Sequence, residues 1–519
     1  MKEGLIMKNN SIALVGGQCV TMDGQNPRCE AILVEKGRIA LTGGREAVAK
    51  LAGQKGIPVV ELDGRCAVPG LHDCHVHVMG TGMGESGVDL FDAGSIDGVL
   101  SALKRRAEEQ PDGWIVGSRL DESRLAEKRP PTAAEIDAVI PDRGVYLVDR
   151  GLHYTQLNTQ AYEAIGFNGN EPGVVKDGDG RPTGRVHGLA NARAKNYYND
   201  AMTDGQREQA IRHVAAEAVA KGVTTIHAME GGALFCDADI PVFGKIHDTL
   251  PLDILVYWDT MDLDAIQKAG YPAMGTDILL DGSIGSRTAA FDEPYADDPT
   301  TCGLLYFDQE VVFDVVDRAI AMGMQTGFHS IGQRGIRQSL DALEAALKRH
   351  PRADHRYRVE HFGFPDESDI HRAKALGAII STQPAFSYTR GGPGSVYNTR
   401  TGDDRERRAY NLRRWADEGL ILCGGSDSSV TPIDPVLGIH AAVNPPYPEN
   451  ALTPAEALAM FTINGAYAAF EEGDKGSLTP GKLGDITVLS ANPLTVDPAA
   501  IKDIAVEMTI VRGNVEYKK

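Results

Sequence analysis

From about residue 200 the chain alternates short β-branched and apolar runs with longer charged stretches of helical period. The runs are "VTTIHAME" (223–230), "LDILVYWD" (252–259), "DILLDGS" (277–283), "MQTGFHS" (324–330), "YRVEHFG" (357–363), "AIISTQPAF" (378–386) and "LILCGGSDS" (420–428), and "AVPGLHDCHVHV" upstream completes a set of eight. Between them, segments 206–221, 309–322, 333–350 and 403–419 carry the helical pattern. Eight strands alternating with helices predict an α/β protein built on a (β/α)8 TIM barrel over 68–80 and 206–475, with an open doubly wound sheet as the alternative.

Both ends read differently. "AILVEKGRIALTG" near the start, and "GDITVLS" and "VEMTIVRGNVEYKK" near the end, are short alternating strands joined by tight turns. They predict one small β-sandwich domain assembled from both termini, 1–67 and 476–519. Residues 81–205 interrupt the barrel after its first strand and hold strands and helices of their own, "WIVGSRL", "AAEIDAVI" and "GVYLVDR", so they predict a folded insertion over the barrel mouth.

Composition narrows the function. With 52 basic against 72 acidic residues the formal charge is −20, so the positive surface that nucleic acid or an anionic membrane requires is not expected. No stretch reaches the roughly 18 apolar residues of a membrane span, and "MKEGLIMKNNSIALVGGQCV" lacks a secretory apolar core, which sets a cytoplasmic location as the expectation. The seven cysteines are scattered and never spaced C-x-x-C, as reduced thiols would be; Cys74 and Cys423 read as buried packing residues.

The stretch "VPGLHDCHVHVMG" (68–80) puts His75 and His77 two residues apart. On a strand they share a face, so they form either half of a metal site or a hydrogen-bonded pair. Strand C-terminal ends meet at one face of such a barrel. Standing there are His75, His77, His227, Glu230, Asp277, Asp281, His329, His361 and Asp427. Imidazoles mixed with carboxylates suit zinc or another divalent transition metal. Asp73 would share a face with His75, to orient its imidazole or to cap a turn.

These stretches, with "DGSIGSRTAA", "FHSIGQRG", "RVEHFGFP", "STQPAF", "GGSDSSVTPIDP" and "GSLTPGKLGDITVL", run in order over nearly the whole chain. The chain resembles the metal-dependent amidohydrolase superfamily and, within it, the YtcJ-like amidohydrolase family 3. The resemblance implies His75, His77, His329, His361 and Asp427 as ligands of one or two divalent ions, with zinc the expected metal, and a barrel with a composite terminal sandwich. Many relatives carry a lysine four residues before the Asp-Gly of the fourth-strand motif, where its carboxylated form bridges two metals. Here Asp277 stands in that place, either as a ligand or as a solvated rim residue.

The expected reaction is hydrolysis of a C–N bond (amide, formamide or cyclic amide) in a small molecule by metal-activated hydroxide, with Asp427 as general base and acid and His361 assisting. Arg287 in the glycine-rich stretch reads as a clamp for substrate oxygens or as a surface arginine; His153, His227 and Asp281 complete the expected substrate contacts. His187 stands where relatives often have Glu. A metal-dependent decarboxylase, isomerase or esterase on the same barrel is the alternative, and a non-enzymatic scaffold a third reading that five retained ligands argue against. A small molecule is the expected partner and a homodimer the expected assembly.

Overall fold

The computed structural model describes residues 10–110, 112–122, 124–150, 154–232 and 236–519. Contacts divide the chain into two compact units, Met1–His77 with Ala215–Ala233 and Lys245–Lys519, and Val78–Val214 with Leu234–Gly244.

In the first unit three strands pair in parallel in the order Asp253–Trp258, Val223–Glu230, Leu71–Val76. Four more pair in parallel in the order Gly327–Ser330, Arg358–His361, Ile379–Thr382, Ile421–Gly424. Isolated parallel bridges run between the two sets, Val76 to Ser428 on one flank, and Trp258 to Met274, Ala273 to Gln325 and Leu279 to His329 on the other. The sequence pattern predicts a regular strand over 277–283; the structure has only bridges there. The physical reason is Asp281, whose carboxylate accepts the backbone N–H groups of Ile331, Gly332 and Ala290 at 2.9, 2.7 and 2.8 Å. A side chain thus takes amides that a continuous ladder would have used.

The strands are buried on both faces, as parallel strands covered by helices must be. Helix Gln333–Arg349 shows how the cover is made. Ile336, Leu340, Leu343 and Ala346 fall every three or four residues on one face and join Phe328, Val359 and Ile380 of the strands in a common core. Lys348 and Arg349 in its last turn complement the helix dipole.

Both termini do enter one sheet. Its eight strands include Ile12–Val20, Arg28–Glu35 and Arg38–Gly43 from the start of the chain and Ile486–Leu489, Val506–Val511 and Asn514–Lys518 from its end. The join is Cys66–Pro69, which pairs antiparallel with Ile486–Leu489 and runs through Gly70 directly into Leu71–Val76. Lys475, 4% exposed, ties sheet and parallel strands together, its Nζ donating to Asp253 at 2.6 Å and Thr225 at 3.1 Å while Arg512 reaches the same Asp253.

The second unit carries a six-stranded sheet in the order Val174–Lys176, Pro182–His187, Tyr154–Leu157, Val145–Asp149, Ile115–Leu120, Val88–Asp89. It has two apolar cores of its own, one around Leu103, Ile115 and Leu147 and one around Tyr146, Leu157 and Val186. No described helix is long and apolar enough to cross a membrane.

The approach of 425–427 to the first strand depends on a missing side chain. A Cβ on Gly425 would sit 2.6 Å from the His75 nitrogen and 2.7 Å from the His75 Cβ. Gly425→Ala is therefore expected to cost about 1–3 kcal/mol in urea unfolding. Gly473→Ala, whose Cβ would meet nothing within 4 Å, is expected to stay within about 0.5 kcal/mol of the parent.

Candidate metal centre

Strand Leu71–Val76 and the residue after it present His75 and His77; the ends of Gly327–Ser330 and Arg358–His361 present His329 and His361; the segments 274–281 and 425–430 bring Asp277 and Asp427. Asp277 Oδ1 lies 3.6 Å from His75 Nε2 and 3.4 Å from His361 Nε2, and its Oδ2 lies 3.4 Å from His77 Nε2. Asp427 Oδ1 lies 3.1 Å from His77 Nε2 and 3.7 Å from His75 Nε2. The His329 and His361 rings meet edge to face at 4.4 Å. Three overlapping sets converge closely enough to share an ion: His75, His77 and Asp277; His75, His361 and Asp427; Asp277, His329 and His361.

The donor set fits a divalent transition metal on two observations. His75 Nε2, Asp277 Oδ1 and Asp427 Oδ1 are buried and have no hydrogen-bond partner, a costly state for polar atoms unless something else satisfies them. The separations above also lie near the roughly 3.4 Å edge of a ligand tetrahedron with bonds of about 2.1 Å.

The imidazoles are aimed from behind. His75 Nδ1–H donates to Glu360 Oε2 at 2.7 Å, His77 Nδ1–H to the Met229 carbonyl at 3.1 Å, and His361 Nδ1–H to Gln383 Oε1 at 2.6 Å. Each ring is thereby fixed in the tautomer that leaves Nε2 as the inward lone pair. Glu360 is itself held by Arg358, and both side chains are fully buried, with Arg358 Nε on Glu360 Oε1 at 2.7 Å. Arg358 spends its remaining donors on the Cys74 carbonyl, Ser381 Oγ and His227 Nδ1, at 2.7, 2.9 and 2.9 Å. A buried charge this fully paired is tolerable; one left half-paired is not.

Charge follows geometry. Burial alone would raise Asp277 and Asp427, but His75 with His361 and His77 holds both carboxyls below the ordinary aspartate range. Burial likewise opposes charge on His75, and Asp277, Asp427 and Glu360 override it to raise that imidazole well above its usual value. Burial would raise Glu360 as well, but Arg358 and then His75 outweigh it and bring that carboxyl down to about 2. Asp259 goes the other way: burial and then the neighbouring Asp277 push it well up, while its Oδ1 accepts the Asp277 N–H at 3.0 Å. Two members of the cluster also sit in the left-handed backbone region, His361 at φ 69° and Asp427 at φ 53°, a conformation that costs of order 1–3 kcal/mol and persists where surroundings enforce it.

Several expected contacts fall elsewhere. Asp281 accepts three backbone amides, and its Oδ1 lies 3.5 Å from Nδ1 of His329, so it stands behind a candidate ligand where a substrate contact was expected. Arg287 makes a two-point ion pair with Asp297 at 3.0 and 2.8 Å, so its fork is already filled. His227 is buried, and burial followed by Arg358 lowers its pKa well below the ordinary range, leaving a neutral ring that accepts from Arg358. Asp73 accepts the backbone N–H of Ser426 at 2.8 Å and of His75 at 3.4 Å; the imidazole partner expected of it is Glu360. Glu230 is buried, its carbonyl taking the Asp259 N–H. His187 lies in the second unit, its ring 5.6 Å from Tyr154, and His153 lies outside the described residues. Sequence reasoning missed Arg358, Glu360, Asp259 and Gln383. The signal for the first two is visible in "RVEH": two opposite charges on one face of a strand flanked by core.

Known proteins resemble this chain over nearly its whole length. The chain is 29% identical over 541 aligned residues to the protein named "Putative amidohydrolase YtcJ" of Bacillus subtilis (strain 168), covering 97% of this chain and 99% of that one. It is 27% identical to an N-substituted formamide deformylase of Arthrobacter pascens, covering 98% of each. Among solved structures, an uncharacterized metal-dependent hydrolase from Pyrococcus furiosus superposes with a TM-score of 0.80 at 25% identity, covering 93% of this chain and all of that one. The sequence profile described as the amidohydrolase family matches residues 58–517, and the chain belongs to that family.

Proposed function

We propose that this protein is a metal-dependent hydrolase that cleaves the C–N bond of an amide, formamide or cyclic amide in a small molecule. The observation that carries the reading is the convergence of the inward Nε2 atoms of His75, His77 and His361, each ring fixed through its Nδ1, on two carboxylates. The relative named an N-substituted formamide deformylase supports a formamide among the candidate bonds. In this reading His75, His77, His329, His361 and Asp427 hold one or two zinc ions, and Asp277 adds a carboxylate where many relatives have lysine. Bound there, zinc lowers the pKa of water from about 15.7 to about 7 and polarises a substrate carbonyl.

The residues then divide the work. Asp427 takes the proton of the attacking water as the new C–O bond forms and hands it to the departing nitrogen as the C–N bond breaks. Glu360 and Gln383 keep His75 and His361 from rotating. Asp259 holds Asp277 by its backbone.

The fold part of the proposal is a closed eight-stranded barrel, supported by the bridges on both flanks of the two parallel sets. A sandwich at the termini is supported by contacts between strand Arg38–Gly43 and the segment that precedes Ile486–Leu489: Ile39 N–H donates to the Lys482 carbonyl at 2.8 Å, and Arg38 bridges Leu483. The second unit, in the same reading, is the folded insertion that follows the first barrel strand.

Three measurements test this. Elemental analysis of the purified protein is expected to find divalent metal that falls below half the parent level in the His75→Ala, His77→Ala double variant; equal content would remove these residues from the site. Asp427→Asn keeps an oxygen ligand but cannot take a proton, so metal content is expected to stay above half while turnover of N-phenethylformamide drops roughly 100-fold or more. Glu360→Gln leaves Arg358 buried with half its pairing lost, which is expected to cost about 3–5 kcal/mol in denaturant unfolding and to weaken metal binding about 10- to 100-fold.

A further inference from the structure

Beside the candidate metal centre, helix Pro384–Arg390 and the segment 396–410 build a wall that the mechanism above does not use. Phe386 stacks on the ligand His361, ring centroids 5.9 Å apart and planes 13° from parallel. Tyr410 meets Phe386 at 6.2 Å, and Tyr397 stacks on Tyr410 at 6.1 Å. Arg390 lies over the Phe386 ring at 5.2 Å and donates to the Val430 carbonyl at 3.1 Å, while the Val430 N–H donates to the Asp427 carbonyl at 2.7 Å. The wall is thus tied to His361 at one end and to the Asp427 loop at the other.

Two features of this wall are unspent. Arg390 is half-buried and, among the described residues, has no carboxylate within ion-pair distance, in a chain where most other arginines of the region are paired, Arg400 with Asp297, Arg407 with Glu449 and Arg413 with Glu456. The Tyr410 hydroxyl is buried without a hydrogen-bond partner. Burial raises the pKa of both phenols, with Arg390 opposing, so each stays protonated and can donate. The Tyr410 backbone is in the left-handed region at φ 47°, pinned by its N–H on the Gly363 carbonyl at 2.9 Å. Arg390, without a counter-charge, reaches the Tyr397 phenol, which stacks on Tyr410 with its unpartnered hydroxyl, and an anionic oxygen pair is the group that such a set of donors would take.

We infer that Arg390, with Tyr410 and Tyr397, is the subsite for a carboxylate on the substrate, so that the compound hydrolysed is an N-acyl or N-formyl amine bearing an acid group, with Phe386 as the apolar floor between that group and the metal centre. This rests on the hydrolytic reading above. It makes a net-negative protein selective for a negative substrate through one uncompensated local charge.

The test uses the full-length metal-loaded protein, two formamides that differ only in the acid group, N-formylphenylalanine and N-phenethylformamide, and two ligands that cannot react, 3-phenylpropanoate and 3-phenylpropanamide. The parent is expected to have a kcat/KM at least about 10-fold higher for N-formylphenylalanine than for N-phenethylformamide. Arg390→Gln is expected to lower the value for N-formylphenylalanine by about 10- to 100-fold, and for N-phenethylformamide by much less. Arg390→Lys should recover part of the loss, and Tyr410→Phe should cost about 10-fold on the acid substrate. By calorimetry, 3-phenylpropanoate should bind the parent more tightly than 3-phenylpropanamide and lose about 10- to 100-fold in Arg390→Gln, with melting temperatures compared to establish that each variant is folded. Equal loss on both formamides, or 3-phenylpropanoate binding that is undetectable in the parent or indifferent to Arg390, overturns the subsite. If neither formamide is cleaved while 3-phenylpropanoate binding still depends on Arg390, the subsite stands and the hydrolytic reading falls.

Discussion

The structure turns on one electrostatic problem: three imidazoles each stand 3.1–3.7 Å from one or both of two aspartates, at side-chain exposures of 0–11%. At that range and burial the interactions are too strong to be left to solvent. Imidazolium charge can answer the carboxylates, as the opposed shifts of His75 and Asp277 indicate, but it leaves His75 Nε2, Asp277 Oδ1 and Asp427 Oδ1 without hydrogen bonds. A divalent cation would satisfy all three atoms together, which is why the donor set reads as a metal centre rather than as a salt-bridge network.

Much of the surrounding architecture exists to keep that cluster from relaxing. Arg358 and Glu360 form a buried pair whose purpose in this geometry is to present one hydrogen bond to His75. Asp73 and Asp281, two further buried carboxylates, are spent on backbone amides; Asp73 fastens Ser426 to the first strand, and Asp281 fastens 331–332 and Ala290 to the bridging segment. Gly425 lets the loop bearing Asp427 lie against His75, and the Asp427 N–H donates to the His75 carbonyl at 2.7 Å. With the loop so held, Asp427 occupies left-handed backbone, as His361 does, a region uncommon outside glycine that Asp and His tolerate better than most residues.

How far the sequence discloses this depends on the range of the interaction. The alternation that pairs His75 with His77, and the recurrence of His or Asp at strand ends, are local patterns, and of the residues they single out His75, His77, Asp277, His329, His361 and Asp427 come together while His227 and Glu230 do not. Asp277 was ambiguous because a strand-end carboxylate reads alike as ligand or rim residue; only the distances to three Nε2 atoms separate the two. Arg287 and Asp281 misled for the same reason. Their partners, Asp297 in one case and the amides of 290, 331 and 332 in the other, are set by loop conformation that no period records. Arg358 and Glu360 were overlooked although their spacing is that of one strand face, because charges in an apolar run draw attention as exceptions only once the strand is known to be buried on both sides. The predicted fourth strand failed as a ladder where a side chain replaced the backbone's partners.

The central claim, that the cluster exists to hold a cation, is tested most directly by anomalous X-ray diffraction from crystals of the protein purified without chelators, with data on both sides of the zinc absorption edge. The account predicts a peak bounded by the Nε2 atoms of His75, His77 and His361 and the carboxylates of Asp277 and Asp427, at about 2.0–2.2 Å from its ligands. A well-ordered cluster at full occupancy with no peak for zinc or any other transition metal, its Nε2 atoms and carboxylates closed into direct hydrogen bonds, would contradict it.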